Sequence, residues 1–134
     1  MKRMKIFIPY FIILIAGCAN ISGQVSTEKF DKISSTYEKV ILRSQFFAAS
    51  QFLDPTTTKG EIDLDKYENI KVVDYVAGNY IVSTDNSEIR QTIEIQYYWN
   101  DSFVLKTVRD DQIWKYYKEQ KAWLLQTGLP AFSR

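Results

Sequence analysis

Ile89-Arg90-Gln91-Thr92-Ile93-Glu94-Ile95-Gln96-Tyr97-Tyr98-Trp99 decides the fold of this chain. Ile93, Ile95, Tyr97 and Trp99 fall on one side, and Thr92, Glu94, Gln96 and Tyr98 on the other. A period of two marks a strand with one face buried and one face wet. Such a strand needs neighbours along both edges and an apolar cover for its inner face. The flanking sequence supplies both.

On the upstream side, Ile70 to Thr84 is rich in β-branched and aromatic residues and reads as strand. Gly78-Asn79 interrupts it, either as a tight hairpin turn or as a bulge that bends one long strand. Asp85-Asn86-Ser87 is a turn. On the downstream side, Asn100-Asp101-Ser102 is a second turn. Phe103 to Tyr117 is the next strand, with Val104, Val108, Trp114 and Tyr116 on one face. Its alternation breaks at Arg109-Asp110-Asp111, which predicts a bulge or bend there. Glu119-Gln120-Lys121 then turns into Ala122 to Thr127, where Trp123 and Leu125 share a face, and Gly128-Leu129-Pro130 closes the domain.

The cover comes from an earlier segment. Phe30, Ile33, Tyr37, Val40, Ile41, Ser44, Phe47, Ala48 and Gln51 recur at steps of three and four, a mostly apolar helical stripe. Lys29, Lys32, Glu38, Lys39 and Arg43 lie opposite. Ser26 or Thr27 is placed to cap the first turn, and Asp54-Pro55 to stop the last. The spacing predicts one helix over residues 27–52. The fold class is therefore α+β: one long N-terminal helix packed on a curved four-stranded antiparallel meander.

Ahead of this domain stands a different text. Lys2, Arg3 and Lys5 precede the apolar run Ile6 to Ala16. A basic start followed by about 7–15 apolar residues is a secretory signal. The run is too short to cross a bilayer, which takes about 20 residues. It ends in Leu14-Ile15-Ala16-Gly17-Cys18, which resembles the lipobox of bacterial lipoproteins. The resemblance implies cleavage before Cys18 and acylation of its thiol and new amino group, with palmitate-type chains holding the protein to a membrane. Ala19, where Asp tends to mark inner-membrane retention in that family, implies the outer membrane and a periplasmic face. The competing readings are an ordinary secretory signal with an incidental cysteine, and an uncleaved apolar anchor. The chain thus divides into a signal peptide at 1–17, a lipidated tether at 18–25 and one domain at 26–134.

Cys18 is the only cysteine, which excludes a disulfide within the chain. Loss of Lys2, Arg3 and Lys5 with the signal leaves 14 basic against 16 acidic residues, a net charge of −2. A chain so nearly balanced has no field to gather nucleic acid. Aromatic residues at 15% argue for a packed globule.

Catalytic apparatus is sparse. Histidine is absent, which removes the commonest general base and metal ligand near neutral pH. An acylated Cys18 leaves no thiol nucleophile or zinc ligand. Glu61, Asp63 and Asp65 alternate as in a calcium loop, but that loop needs glycine sixth and glutamate twelfth; Lys66 and Val72 stand there. The expectation is no enzyme, no cofactor and no metal. Asp110-Asp111 is either a carboxylate pair, if a bulge turns both inward, or a solvated bend. Gln112 beside Trp114 either lines a pocket or is a buried amide bonded to backbone. The aromatic set is the richest feature, as core and cross-strand pairs or as a binding face. Tyr37, Phe47, Tyr98, Trp99, Trp114, Tyr117 and Trp123 are the candidates, with Tyr98 and Tyr117 out of phase with their apolar neighbours and expected to be exposed.

Three stretches carry a further resemblance: Ala48-Ala49-Ser50-Gln51-Phe52-Leu53-Asp54-Pro55, Ile70-Lys71-Val72-Val73-Asp74-Tyr75, and Asp111-Gln112-Ile113-Trp114-Lys115-Tyr116 through Trp123-Leu124-Leu125-Gln126-Thr127-Gly128-Leu129-Pro130. Over about residues 27–130 the chain looks like small proteobacterial lipoproteins with a nuclear-transport-factor-2-like, cystatin-like roll. The likeness implies that fold and favours a bulge at Gly78; a fold so widely used implies little about activity. The expected function is a non-catalytic outer-membrane lipoprotein that docks other envelope proteins. The alternative is a binding module for a small apolar or lipidic ligand held between helix and sheet. Metabolic labelling with a fatty acid tests the anchor: the wild type should be marked and Cys18→Ser should not, and equal labelling of both refutes it.

Overall fold

The computed structural model describes residues 21–58 and 61–134, with side chains from Thr27 onward. The stretch expected to be a signal peptide, and Cys18, lie outside the described residues. The elements run α1 (Ile21–Leu42), α2 (Phe46–Ser50), a 3-10 turn (Leu64–Tyr67), then strands β1 (Ile70–Ala77), β2 (Ile81–Val82), β3 (Glu88–Trp99), β4 (Lys106–Tyr117) and β5 (Ala122–Leu125). All strand pairs are antiparallel, and the sheet curls into a half-barrel beside the helix.

β3 bears out its alternation, with Ile89, Ile93, Ile95 and Tyr97 buried. β1 and β2 follow one another along the same edge of β3, so the sheet is four strands wide. Ala77 pairs with Ile93 and Ile81 with Arg90, which sets Gly78, Asn79 and Tyr80 against only Gln91 and Thr92. That is a bulge, not a hairpin turn. The Gly78 N–H donates to the Thr92 carbonyl at 2.9 Å, and a Cβ on Gly78 would stand 3.2 Å from that oxygen. Glycine is what permits the approach. The Gln91 side-chain amide then donates to the Gly78 carbonyl.

A second irregularity falls at Val73, where the register slips between Val72 and Asp74. Ile70 is buried before the slip and Tyr75 after it, five positions on. Strict alternation would have sent Tyr75 outward. At the opposite side of the sheet, Leu53 forms a parallel bridge to Leu125, the Leu125 N–H donates to the Phe52 carbonyl, and the Asp54 N–H donates to the Leu125 carbonyl. The segment after α2 thereby covers the free edge of β5.

The helix differs from expectation at both ends. α1 already runs at Ile21, the first described residue, inside the stretch expected to be a tether, so Ser26 and Thr27 lie within it rather than capping it. Once a helix is nucleated, each added residue gains a bond for two dihedrals fixed, and extension needs no cap. At the other end the single helix over 27–52 is two. Ser44 adopts φ 56°, its N–H donates to the Ile41 carbonyl, and the Gln45 N–H reaches back to the Val40 carbonyl. This is a left-handed C-cap, a position usually held by glycine. Serine is kept because its Oγ accepts from the Val72 N–H at 2.9 Å.

The break changes phase. Phe30, Tyr37 and Ile41 are fully buried as the stripe predicts, but beyond Ser44 it is Phe46 and Ala49 that turn inward and Phe47 that turns out. Ring contacts lock α1 to the sheet: Phe30 lies 5.9 Å from Trp114 and 5.6 Å from Trp123, and Tyr37 lies 5.5 Å from Trp114, all edge to face. Each such ring removed from water is worth about 2 kcal/mol.

Ser44→Ala should leave the Val72 N–H without its acceptor and cost about 1–2 kcal/mol. Ser44→Gly loses the same bond but relieves about 1 kcal/mol of left-handed backbone strain. Urea unfolding should therefore rank wild type above Gly above Ala; an Ala variant as stable as wild type would break this account of the helix end.

Candidate functional site

β4 is continuous, and its pairing with β3 runs without a slip from Lys106 to Lys115. The bend expected at Arg109-Asp110-Asp111 is not there. What breaks is the composition: Asp110 and Gln112 occupy inward positions in line with Val108, Trp114 and Tyr116. Asp110 is 9% exposed and Gln112 2%. Buried polar groups at such positions need partners, and they find them in one another.

Gln112 is the hub. Its Oε1 accepts from the Trp114 indole N–H at 3.0 Å, and its Nε2 donates to Asp110 Oδ2 at 2.8 Å and to the Tyr75 hydroxyl at 3.2 Å. The expected backbone partner is replaced by three side chains, because the bulge at Val73 has turned Tyr75 inward above it. From the helix side Tyr37 reaches in fully buried, and its hydroxyl has no hydrogen-bond partner among the described residues.

No ion pair reaches Asp110 among the described residues. Burial pushes its carboxyl above the ordinary range, the Gln112 amide opposes this, and the negative charge of Asp111 adds to it. The Tyr37 and Tyr67 hydroxyls are pushed up by burial first and by the Asp110 charge second. Tyr75 is raised chiefly by burial, with the Gln112 bond pulling the other way. Asp111 behaves oppositely. It points outward, accepts from Thr92 Oγ1 at 2.8 Å and from Arg109 Nε at 3.0 Å, and is lowered by those contacts. The two carboxylates diverge as adjacent strand residues must. They form no pair, and only Asp111 is solvated.

The candidate aromatics separate into three groups. Tyr37, Trp114 and Trp123 are core. Phe47 is 70% exposed and shares no cavity with Tyr37. Tyr98 and Tyr117, expected outside, and Trp99, expected on the inner face, are half-buried and each is engaged. Tyr98 stacks on Phe103 at 5.8 Å, and Arg134 lies 4.5 Å over the Trp99 ring. The Tyr117 hydroxyl donates to Asp54 Oδ2. That bond first, with Thr56 after it, holds the Asp54 carboxyl down to about 2. Asp54 was read only as a helix stop. Its turn with Thr56 was legible, since Asp before Pro-Thr favours an Asx turn; its partner 63 residues away was not.

Two surface features complete the picture. An open groove of about 670 Å³ lies between α2 and the 3-10 turn, floored by Phe46, Tyr67 and Ile70, with Phe47 and Lys71 at its rim. The β3–β4 connection exposes Phe103, Val104 and Leu105 at 76%, 56% and 57%. Phe103 sits at φ 53°, an outlier for so bulky a residue. Among the described residues no group of three acidic, histidine or cysteine side chains gathers to hold a metal ion, and no helix is long and apolar enough to cross a membrane. No family model matches the chain, and comparisons with curated proteins and with solved structures returned no match.

The raised carboxyl makes a signed prediction. Asp110 favours the folded state when protonated, so its contribution is complete below about pH 3.9, where an unfolded carboxyl titrates, and is lost as pH rises through its higher folded value. Asp110→Asn keeps an oxygen for Gln112 and carries no charge. It should melt higher than wild type at about pH 8, and that advantage should shrink on acidification as the wild-type carboxyl takes up its proton. A variant that melts lower at every pH would show that the charge is compensated.

Proposed function

We infer that the mature chain is a non-catalytic outer-membrane lipoprotein, held by acyl groups on Cys18, facing the periplasm, and acting as a protein-docking or accessory subunit of an envelope complex. Its half-barrel is then a cystatin-like roll of the nuclear-transport-factor-2-like kind, wrapped on one long N-terminal helix. The observation that carries the docking role is the run Phe103-Val104-Leu105, three consecutive apolar side chains standing in solvent at a hairpin tip. Contiguous exposed apolar surface marks an interaction site. Backbone strain at such a place supports the same reading, since strained residues survive where function retains them.

The position of that tip favours a protein partner over a lipid surface. The N-terminal half of α1 lies over the far end of β4, where Lys29 Nζ contacts the Tyr116 hydroxyl and Phe30 packs on Trp123. The tip precedes Lys106 at the near end, about 30 Å away along the strand. A chain tethered through its amino end would hold the tip outward from the membrane. The absence of histidine from the sequence, and of any remaining thiol once Cys18 is acylated, supports a non-catalytic role.

The second reading is a binding module for a small apolar or lipidic ligand. The groove beside Phe46 and Tyr67 favours it; native mass spectrometry of protein taken from cells should then show co-purifying mass.

For docking, a photo-cross-linking residue at Leu105 should capture an envelope protein in intact cells, and one at the exposed Lys32 should not. Phe103→Gly should relieve about 1 kcal/mol of strain while abolishing the Leu105 adduct. Identical adducts at both positions, or a Phe103→Gly variant that captures normally, would dispose of the docking role.

A further inference from the structure

Residues 131–134 follow the last strand with no regular structure of their own, yet they are held closely. The Phe132 ring enters a bowl of three aromatic rings, 4.7 Å from Tyr97, 5.5 Å from Phe46 and 6.1 Å from Tyr67. The Ser133 carbonyl accepts two hydrogen bonds, from the Tyr97 hydroxyl at 2.8 Å and the Trp99 indole N–H at 2.9 Å. The Ser133 N–H donates to the same Tyr97 oxygen at 3.0 Å. Arg134 lies over the Trp99 ring and pairs with Asp101 at 2.8 Å.

Every polar bond that holds Ser133 comes from a side chain of β3, not from a strand ladder. This is how a folded surface holds a short peptide: an aromatic anchor in a pocket, one peptide unit read by paired donors, and an arginine clamped between a ring and a carboxylate. Tyr97 is 1% exposed, and its hydroxyl and the Trp99 N–H converge on one carbonyl. Emptied, those donors would need a replacement acceptor. The occupant has no regular structure and has exposed residues at Ala131, Ser133 and Arg134, the marks of a segment that opens locally at low cost.

We propose that Phe46, Tyr67, Tyr97, Trp99 and Asp101 form a peptide-recognition site for an aromatic residue followed two positions later by arginine, and that Phe132-Ser133-Arg134 is its resident occupant in cis. A partner chain bearing such a segment binds by displacing it. Competition sets the affinity. A tethered occupant acts at about millimolar effective concentration, and the apparent affinity of a rival falls by the fraction of molecules whose site is open. The surface ion pair with Asp101 adds little by itself; the ring contacts and the paired donors carry the recognition. The site stands on its own geometry and does not require the membrane attachment.

The test uses the full chain and a blocked peptide Ala-Phe-Ser-Arg, with binding read by isothermal titration calorimetry. Phe132→Ala combined with Arg134→Ala vacates the site, and this variant should bind the peptide at least about tenfold more tightly than wild type. Trp99→Phe in that background keeps a ring but loses the donor, and should weaken binding about tenfold. A peptide with Ala for Phe should not bind. If the double variant does not fold, Arg134→Ala alone changes only surface contacts and should still tighten binding over wild type. Equal affinity in wild type and vacated chain, no binding by a folded vacated chain, or indifference to Trp99→Phe would each overturn the proposal.

Discussion

Trp114 is where the helix meets the sheet, and the rest of the structure depends on that contact. Its ring is fully buried and makes edge-to-face contacts with both Phe30 and Tyr37 from α1. Its indole N–H cannot be buried without an acceptor, and Gln112 supplies one. Gln112 must then satisfy its own amide, which commits Asp110 and Tyr75 to face the same interior. One aromatic side chain thus sets the position of the helix, the inward identity of two polar residues on its own strand, and the orientation of a tyrosine on β1. A half-barrel closed by a single helix has little apolar surface to spare, so the choice of partner at this centre propagates outward.

The irregularities in the backbone serve that centre. The slip at Val73 turns Tyr75 inward. The bulge at Gly78 bends the β1–β2 edge, and Tyr80 beyond it meets Phe30 at 5.0 Å. The left-handed Ser44 ends α1 beside Val72 and lets α2 turn Phe46 toward Tyr67 and Phe132. Each is a local cost that the packing over-determines. Phe103 is different. Its positive φ leaves the ring 76% exposed, stacked on Tyr98 at the surface rather than set into the core.

The molecule is therefore asymmetric along its strands. Toward Tyr116 and Trp123 lies the N-terminal half of α1. Toward Trp99 lie the exposed hairpin tip, the groove beside α2 and the strap of residues 131–134. Phe47, Phe103, Val104 and Leu105 stand exposed at this second end, together with the aromatic bowl that Phe132 fills, while Val76 and Ile81 are exposed farther along the sheet edge. Asp110 lies deeper, its carboxylate bonded to the Gln112 amide and without an ion pair among the described residues.

The sequence by itself determined the fold class, the strands, the turns and the buried face of β3, because periodicity and turn chemistry act over a few residues. The two-residue period of Ile89 to Trp99 and the turn at Asp85-Asn86-Ser87 needed no distant partner to be read. It also determined that Phe30, Tyr37 and Ile41 would face the core. What only the tertiary structure decided depends on partners far along the chain. Asp110 reads as a solvated bend until Gln112 and Tyr75 are seen to enclose it. Phe46 rather than Phe47 is buried because Ser44 holds a left-handed turn against the backbone of β1 at Val72. Phe132 has no periodic neighbours, and its place in the bowl is set by Phe46, Tyr67 and Tyr97, three rings that come together only once the sheet has curled.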